Sequence, residues 1–209
     1  MTSDGVFLSL DGVDGAGKTT QTRLLADWLR GQGRAVTVCR DPGGTPVGDR
    51  IRQIILDPDS DMGATTELFL YMASRSVLVE QVIRPALDRG HVVIVDRFVL
   101  STVVYQGHAG GQSLDTIRQL GMIATGGLLP RLSVVLDVPV EVALARKAGP
   151  DDRMEAKGRG FLEAVRRGFQ VEAEASTAIV LVDGTDSVAA VHAAIRREVQ
   201  RVLEPTSRP

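Results

Sequence analysis

The sequence predicts an α/β fold, a three-layer α/β/α sandwich around a parallel sheet of five strands, and three observations carry that prediction. Five short apolar or β-branched runs recur along the 209 residues, none of them alternates polar with apolar positions, and longer stretches of helical character separate them. Strands buried on both faces read as continuous apolar runs, and parallel strands need a crossover, usually a helix, between them. With 44% hydrophobic and 24% charged residues, the chain has the make-up of one ordinary globular domain over 1–209.

Taken in order, the strands are expected at Val6 to Leu10, Ala35 to Cys39, Val92 to Val95, Leu132 to Leu136 and Ile179 to Val182. Helices are expected where a chemical stop signal closes each stretch: Lys18 to Arg30 before Gly31, Thr65 to Arg89 before Gly90, and Ser187 to Leu203 before Pro205, with a further helical stretch at Ser113 to Thr125. The polar, glycine-bearing interval from Gly149 to Gly160 interrupts two helical patterns and is expected to be mobile.

Charge excludes some classes of partner. Twenty-four basic residues against 26 acidic ones leave a net charge of -2, so nothing draws the chain as a whole to nucleic acid or an anionic membrane. Any anion site is local. Cys39 is the single cysteine and has no internal disulfide partner, and His91, His108 and His192 show no metal-ligand spacing. The N-terminus lacks a signal-peptide pattern and no run reaches the length of a membrane span, so the expected location is the cytoplasm.

The first strand leads into Asp11-Gly12-Val13-Asp14-Gly15-Ala16-Gly17-Lys18-Thr19-Thr20, which fits G-x-x-x-x-G-K-[ST] between a strand and a helix. Glycines at 12, 15 and 17 let backbone N–H groups turn inward around phosphate oxygens, and the helix adds the positive end of its dipole. Lys18 then neutralises the β- and γ-phosphates, and the Thr19 hydroxyl is placed to ligate Mg²⁺. The residues from Gly12 to Thr20 thus predict a P-loop for a nucleoside triphosphate, ATP with magnesium. A GTPase needs an asparagine in its guanine-reading segment, and the sequence contains none. The third strand ends in Asp96-Arg97 rather than an acidic pair, which favours a small-molecule kinase over a motor or transporter ATPase.

Several blocks then resemble thymidylate kinases: Asp41-Pro42-Gly43-Gly44-Thr45 after the second strand, Asp96-Arg97-Phe98 after the third, and Tyr105-Gln106-Gly107. Pro85-Ala86-Leu87, Leu136-Asp137-Val138 and Asp152-Arg153-Met154-Glu155 extend the resemblance over nearly the whole chain, from Phe7 to Leu203. It implies the reaction ATP + dTMP → ADP + dTDP in a nucleoside monophosphate kinase fold, and a homodimer. Other nucleoside monophosphate or deoxynucleoside kinases, or an ATP-binding module without catalysis, remain the alternatives.

By the same resemblance, Asp14 meets the 3′-hydroxyl of the acceptor sugar, Arg97 grips the acceptor phosphate, and Asp96 binds Mg²⁺ through water. Tyr71 stacks on thymine and Arg75 hydrogen-bonds it; the two are four residues apart and so share a helix face. Asp41, Pro42, Arg52, Ser101, Thr102 and Gln106 match other acceptor-site positions, Tyr105 matches the ring that crowds the sugar's 2′ position, and Arg146 matches a donor-nucleotide contact. Some members carry a transition-state arginine inside the P-loop. Here that position is Gly15, so Arg153 of the family's lid is the expected supplier of charge, with Lys157 and Arg159 as bystanders. Departures are mild: Ser74, Tyr71, Phe98, Leu78 and Arg131 replace residues more common in the family.

Overall fold

In the computed structural model, residues 5–147, 153–154 and 157–204 are described. Much of the interval expected to be mobile, including 149–152, therefore lies outside the described residues. The five strands are β1 (Val6–Asp11), β2 (Val36–Arg40), β3 (Val92–Asp96), β4 (Leu132–Asp137) and β5 (Ile179–Asp183). They pair in the order β2-β3-β1-β4-β5, every pair parallel. Each strand runs just past its apolar run into a charged residue: Asp11, Arg40, Asp96, Asp137 and Asp183. Parallel pairing brings all five to one edge of the sheet, the edge where open α/β sheets bind ligands.

Strand alternation sends side chains to two cores. Val6, Leu8 and Leu10 pack with Leu25 and Leu29 of α1 (Lys18–Gly31) and with Ile195 and Val199 of α9 (Val188–Leu203). Phe7, Val93 and Val95 face the other way, onto Leu68 and Met72 of α3 (Ala64–Leu78) and Ile117 of α6 (Leu114–Thr125). Full burial of one such leucine contributes about 1.5–3 kcal/mol. The continuous burial expected of the strands holds for β1, β3 and β4; in the edge strands, Val38 and Leu181 are exposed.

The long helix expected from Thr65 to Arg89 is three pieces in one run: α3, a π-helical turn at Val79–Ile83, and α4 (Arg84–Asp88). Pro85 lacks an N–H and its ring crowds the carbonyl four residues back, and a wider turn just before it relieves both demands. A second π-helical turn, Val103–His108, follows α5 (Val99–Thr102) and carries Tyr105 and Gln106. The remaining helices are α2 (Pro46–Leu56), capped by the Thr45 hydroxyl, which accepts from Gly48 N at 2.9 Å, then α7 (Val140–Arg146) and α8 (Arg159–Ala175).

Candidate active site

Two adjoining cavities open at the carboxyl edge of the sheet. The larger, of about 950 Å³, is lined by Asp14 to Thr22 of the loop and α1, by Asp96, and by Arg146, Gly184 and Asp186 at the far end. The narrower one is lined by Pro42, Tyr71, Arg75, Ser101, Thr102, Tyr105, Gln106 and Met154. Asp14, Asp41, Arg52 and Arg97 border both.

The loop is shaped by its glycines. Gly15 has φ +81, and a Cβ there would overlap the carbonyl oxygen of Ala143. No side chain, arginine included, fits at position 15 without moving α7. Lys18 is folded back, its Nζ donating to Gly12 O at 3.1 Å, Val13 O at 2.9 Å and Asp14 Oδ1 at 3.3 Å. Gly12 and Val13, expected in the cradle, lie behind it and offer Lys18 their carbonyls. Burial pushes the Lys18 ammonium's pKa down, and the neighbouring Arg97 cation adds to that.

Arg97 stands at the junction of the cavities and is the one non-glycine with positive φ, +67, among the described residues. The left-handed region costs an L-residue about 1–2 kcal/mol, and three contacts hold it there. Nη2 donates to Asp14 Oδ1 at 2.8 Å, Nη1 donates to Ser101 Oγ at 3.2 Å, and the guanidinium lies 5.0 Å from the Tyr105 ring centroid. Burial raises the Asp14 carboxyl's pKa, but Arg97 and Lys18 outweigh it and hold that pKa well below the usual carboxylate range. Ser101, assigned to the base site by resemblance, is a bridge here. Its hydroxyl donates to Asp11 Oδ1 at 2.7 Å while accepting from Arg97. Asp11, buried at the end of β1 and also bonded by Ser9 Oγ at 2.8 Å, is a participant that sequence reading missed.

Arg75 is almost wholly buried. Its Nε donates to Asp41 Oδ2 at 2.5 Å and its Nη2 to Thr102 Oγ1 at 2.8 Å. Asp41 and Thr102, expected to meet the substrate, thus hold Arg75 in place, although Asp41 Oδ1 has no partner among the described residues and both residues still line the narrow cavity. Arg52 donates to Pro42 O at 3.0 Å. In the larger cavity, Thr19 Oγ1 and Asp96 Oδ2 stand 3.4 Å apart, and Arg146 donates to Gly184 O at 2.7 Å and to Thr185 O at 3.3 Å.

Arg153 is on the acceptor side. Its Nη2 donates to Glu67 Oε2 at 2.6 Å and its Nε to Ile55 O at 2.8 Å, and it lines neither cavity, although the next residue, Met154, borders the acceptor slot. Lys157, expected to be a bystander, also reaches Glu67, at 3.4 Å. Arg159 pairs with Glu141 and Glu163 on the surface.

Against known proteins, the family model described as thymidylate kinase matches residues 10–195. The chain belongs to the thymidylate kinase family. It is 46% identical over 204 residues to the thymidylate kinase of Ectopseudomonas mendocina, covering 96% of this chain and 97% of that protein. It is also 46% identical over 201 residues to the thymidylate kinase of Symbiobacterium thermophilum, covering 95% and 94%. A solved structure of thymidylate kinase from Ehrlichia chaffeensis matches with a TM-score of 0.77 at 26% identity, over 94% of this chain and 98% of that one. Thymidylate kinases are phosphotransferases, and the family uses ATP as the phosphoryl donor. Of the blocks that carried the resemblance, Asp41, Pro42 and Gly44, Asp96 and Arg97, Tyr105 and Gln106, and Met154 line the two cavities, whereas Pro85-Ala86-Leu87 and Leu136-Asp137-Val138 line neither.

Proposed function

We infer that the chain transfers the γ-phosphoryl group of ATP to dTMP, giving ADP and dTDP. The observation that carries this reading is the shared border of the two cavities: a donor cleft built on the P-loop meets an acceptor slot at Asp14, Asp41, Arg52 and Arg97. Phosphoryl transfer needs two bound nucleotides in line and little covalent chemistry from the protein, so positioning and charge do most of the work.

On the donor side, triphosphate oxygens compete with the Gly12 and Val13 carbonyls for Lys18, whose ammonium turns toward the stronger acceptor. Arg146 extends the cleft toward the donor base. Thr19 and Asp96 present two hard oxygen ligands on its open wall, and no cluster of three or more metal-ligating side chains exists among the described residues. That pair suits Mg²⁺, which favours a few protein oxygens plus phosphates and water over an all-protein cage. When bound there, Mg²⁺ offsets charge on the phosphate oxygens.

On the acceptor side, Arg97 and Arg52 hold the dTMP phosphate, Tyr71 stacks on the base and Arg75 donates to it. Asp14, with 39% of its side chain exposed, faces the sugar hydroxyl, and Tyr105 closes the 2′ side. With position 15 closed to any side chain, the cation for the transferring group comes from the lid, and Arg153 is that cation, exchanging Glu67 for the phosphoryl oxygens. This is the reading of a single kinase domain with its catalytic arginine in the lid rather than in the P-loop.

The test is a coupled ADP-release assay with a panel of nucleoside monophosphates. dTMP is expected to be phosphorylated far faster than dCMP or UMP. Equal rates across the panel, or no acceptor-dependent ADP, would remove the reading. The same reading places the chain in the cytoplasm as a homodimer joined across α3 and α6, where Phe69 (54% exposed), Met122 and Ile123 (76% exposed) form an apolar face. A monomer mass in sedimentation at assay concentration would refute the dimer. No helix among the described residues is long and apolar enough to cross a membrane.

A further inference from the structure

Glu67 is a carboxylate on α3 with 4% of its side chain exposed, and its one role above is as the partner that Arg153 gives up. Its Oε1 accepts from Gln106 Nε2 at 2.7 Å. Its Oε2 accepts from Arg153 Nη2 at 2.6 Å, with Lys157 Nζ 3.4 Å away. Glu67 borders neither cavity, whereas Gln106 lines the acceptor slot with Arg75 and Thr102.

An ionised carboxylate accepts hydrogen bonds and donates none. Burial pushes the Glu67 carboxyl's pKa up, but Gln106, Lys157 and Arg153 outweigh it and hold that pKa below the usual range, so the group stays charged. Gln106 must therefore turn its Nε2 toward Glu67. That leaves its carbonyl Oε1 as the polar end available to the slot, and no described residue donates to it. Arg75, in contrast, only donates. Asp41 and Thr102 fix its Nε and Nη2, and the sole partner of Nη1 among the described residues is the Met72 sulfur at 3.3 Å. The slot thus offers an acceptor on Gln106 and a donor on Arg75.

We propose that Glu67 is a positioning residue for base selection. By holding the Gln106 amide with its carbonyl toward the slot, it makes the site complementary to a pyrimidine edge that carries a ring N–H beside a carbonyl. Thymine and uracil present that edge. Cytosine presents a bare ring nitrogen beside an amino group, so acceptor would face acceptor and donor would face donor. Buried polar groups left unpaired in this way are what separate substrates of similar shape.

This rests on dTMP being the acceptor, and the experiment separates the two claims. kcat/KM is measured for dTMP, dUMP and dCMP with wild type, Glu67→Gln, Gln106→Ala and the double variant. In Glu67→Gln the new amide can donate as well as accept, which frees the Gln106 amide to flip. The dTMP/dCMP ratio is expected to fall at least about tenfold, with the KM for ATP within about twofold of wild type. Loss of a partner for Arg153 and Lys157 changes turnover with every acceptor alike, and the ratio cancels it. In the Gln106→Ala background the same substitution is expected to leave the ratio unchanged. An unchanged ratio in the single variant overturns the proposal, as does an equal fall in the double variant. Glu67→Asp, which keeps an acceptor-only group, is a second arm expected to retain the wild-type ratio within about threefold; a tenfold loss there also overturns it. A wild type that does not prefer dTMP removes the acceptor reading instead.

Discussion

Replacing Arg97 by lysine isolates the geometry of the acceptor phosphate site from its charge. In the structure the guanidinium is tied down by Asp14 at 2.8 Å and Ser101 at 3.2 Å and lies over Tyr105, so its remaining N–H groups are preset at the junction of the two cavities. A lysine keeps the charge and the φ of +67, so the backbone cost is common to both proteins. It cannot pair with Asp14, touch Ser101 and present a fork to phosphate at once. Losing one charge-assisted hydrogen bond costs about 1.5–3 kcal/mol, roughly 10- to 100-fold in kcat/KM for dTMP. Steady-state rates at saturating ATP with dTMP varied measure this directly, and the KM for ATP is expected to stay near wild type. A variant within threefold of wild type in kcat/KM for dTMP would show that Arg97 does not grip the acceptor phosphate.

Three further outcomes are expected. Arg153→Ala lowers turnover by about 10³ or more, the scale of a transition-state arginine, with little change in nucleotide affinity; wild-type turnover would refute its role. Gly15→Ala places a methyl against the Ala143 carbonyl in a left-handed backbone, costing at least about 1–2 kcal/mol and weakening ATP binding, which thermal melting with and without ATP reads out. An unchanged Tm and ATP response would contradict the loop geometry. Because the Asp14 pKa is depressed in the folded state, its contribution to stability is fully present above its unfolded pKa and is lost as pH falls toward the folded value. Denaturant unfolding should therefore show Asp14→Asn less stable than wild type near neutrality, with the gap closing below about pH 4; a gap that widens in acid would reverse the sign.

Much of this protein is determined by local sequence. The five strands fall within a residue of their apolar runs, in β1, β3 and β4 because burial on both faces demands continuous hydrophobicity, and the P-loop is legible because phosphate binding there uses backbone N–H groups and glycine freedom. Arg75 and Tyr71 are placed together by helical spacing alone. What only the tertiary structure decides is which partner each polar group takes. Ser101 and Thr102 read as base contacts, yet one bridges Arg97 to Asp11 and the other fixes Arg75. Glu67 reads as one more acid on a helix until folding sets it between Gln106 and Arg153. Gly15 reads as a missing arginine, but the Ala143 carbonyl is what closes that position to any side chain. Hydrogen-bond pairing in a buried site depends on groups far apart in the chain coming within about 3 Å, and no periodicity along the sequence encodes that distance.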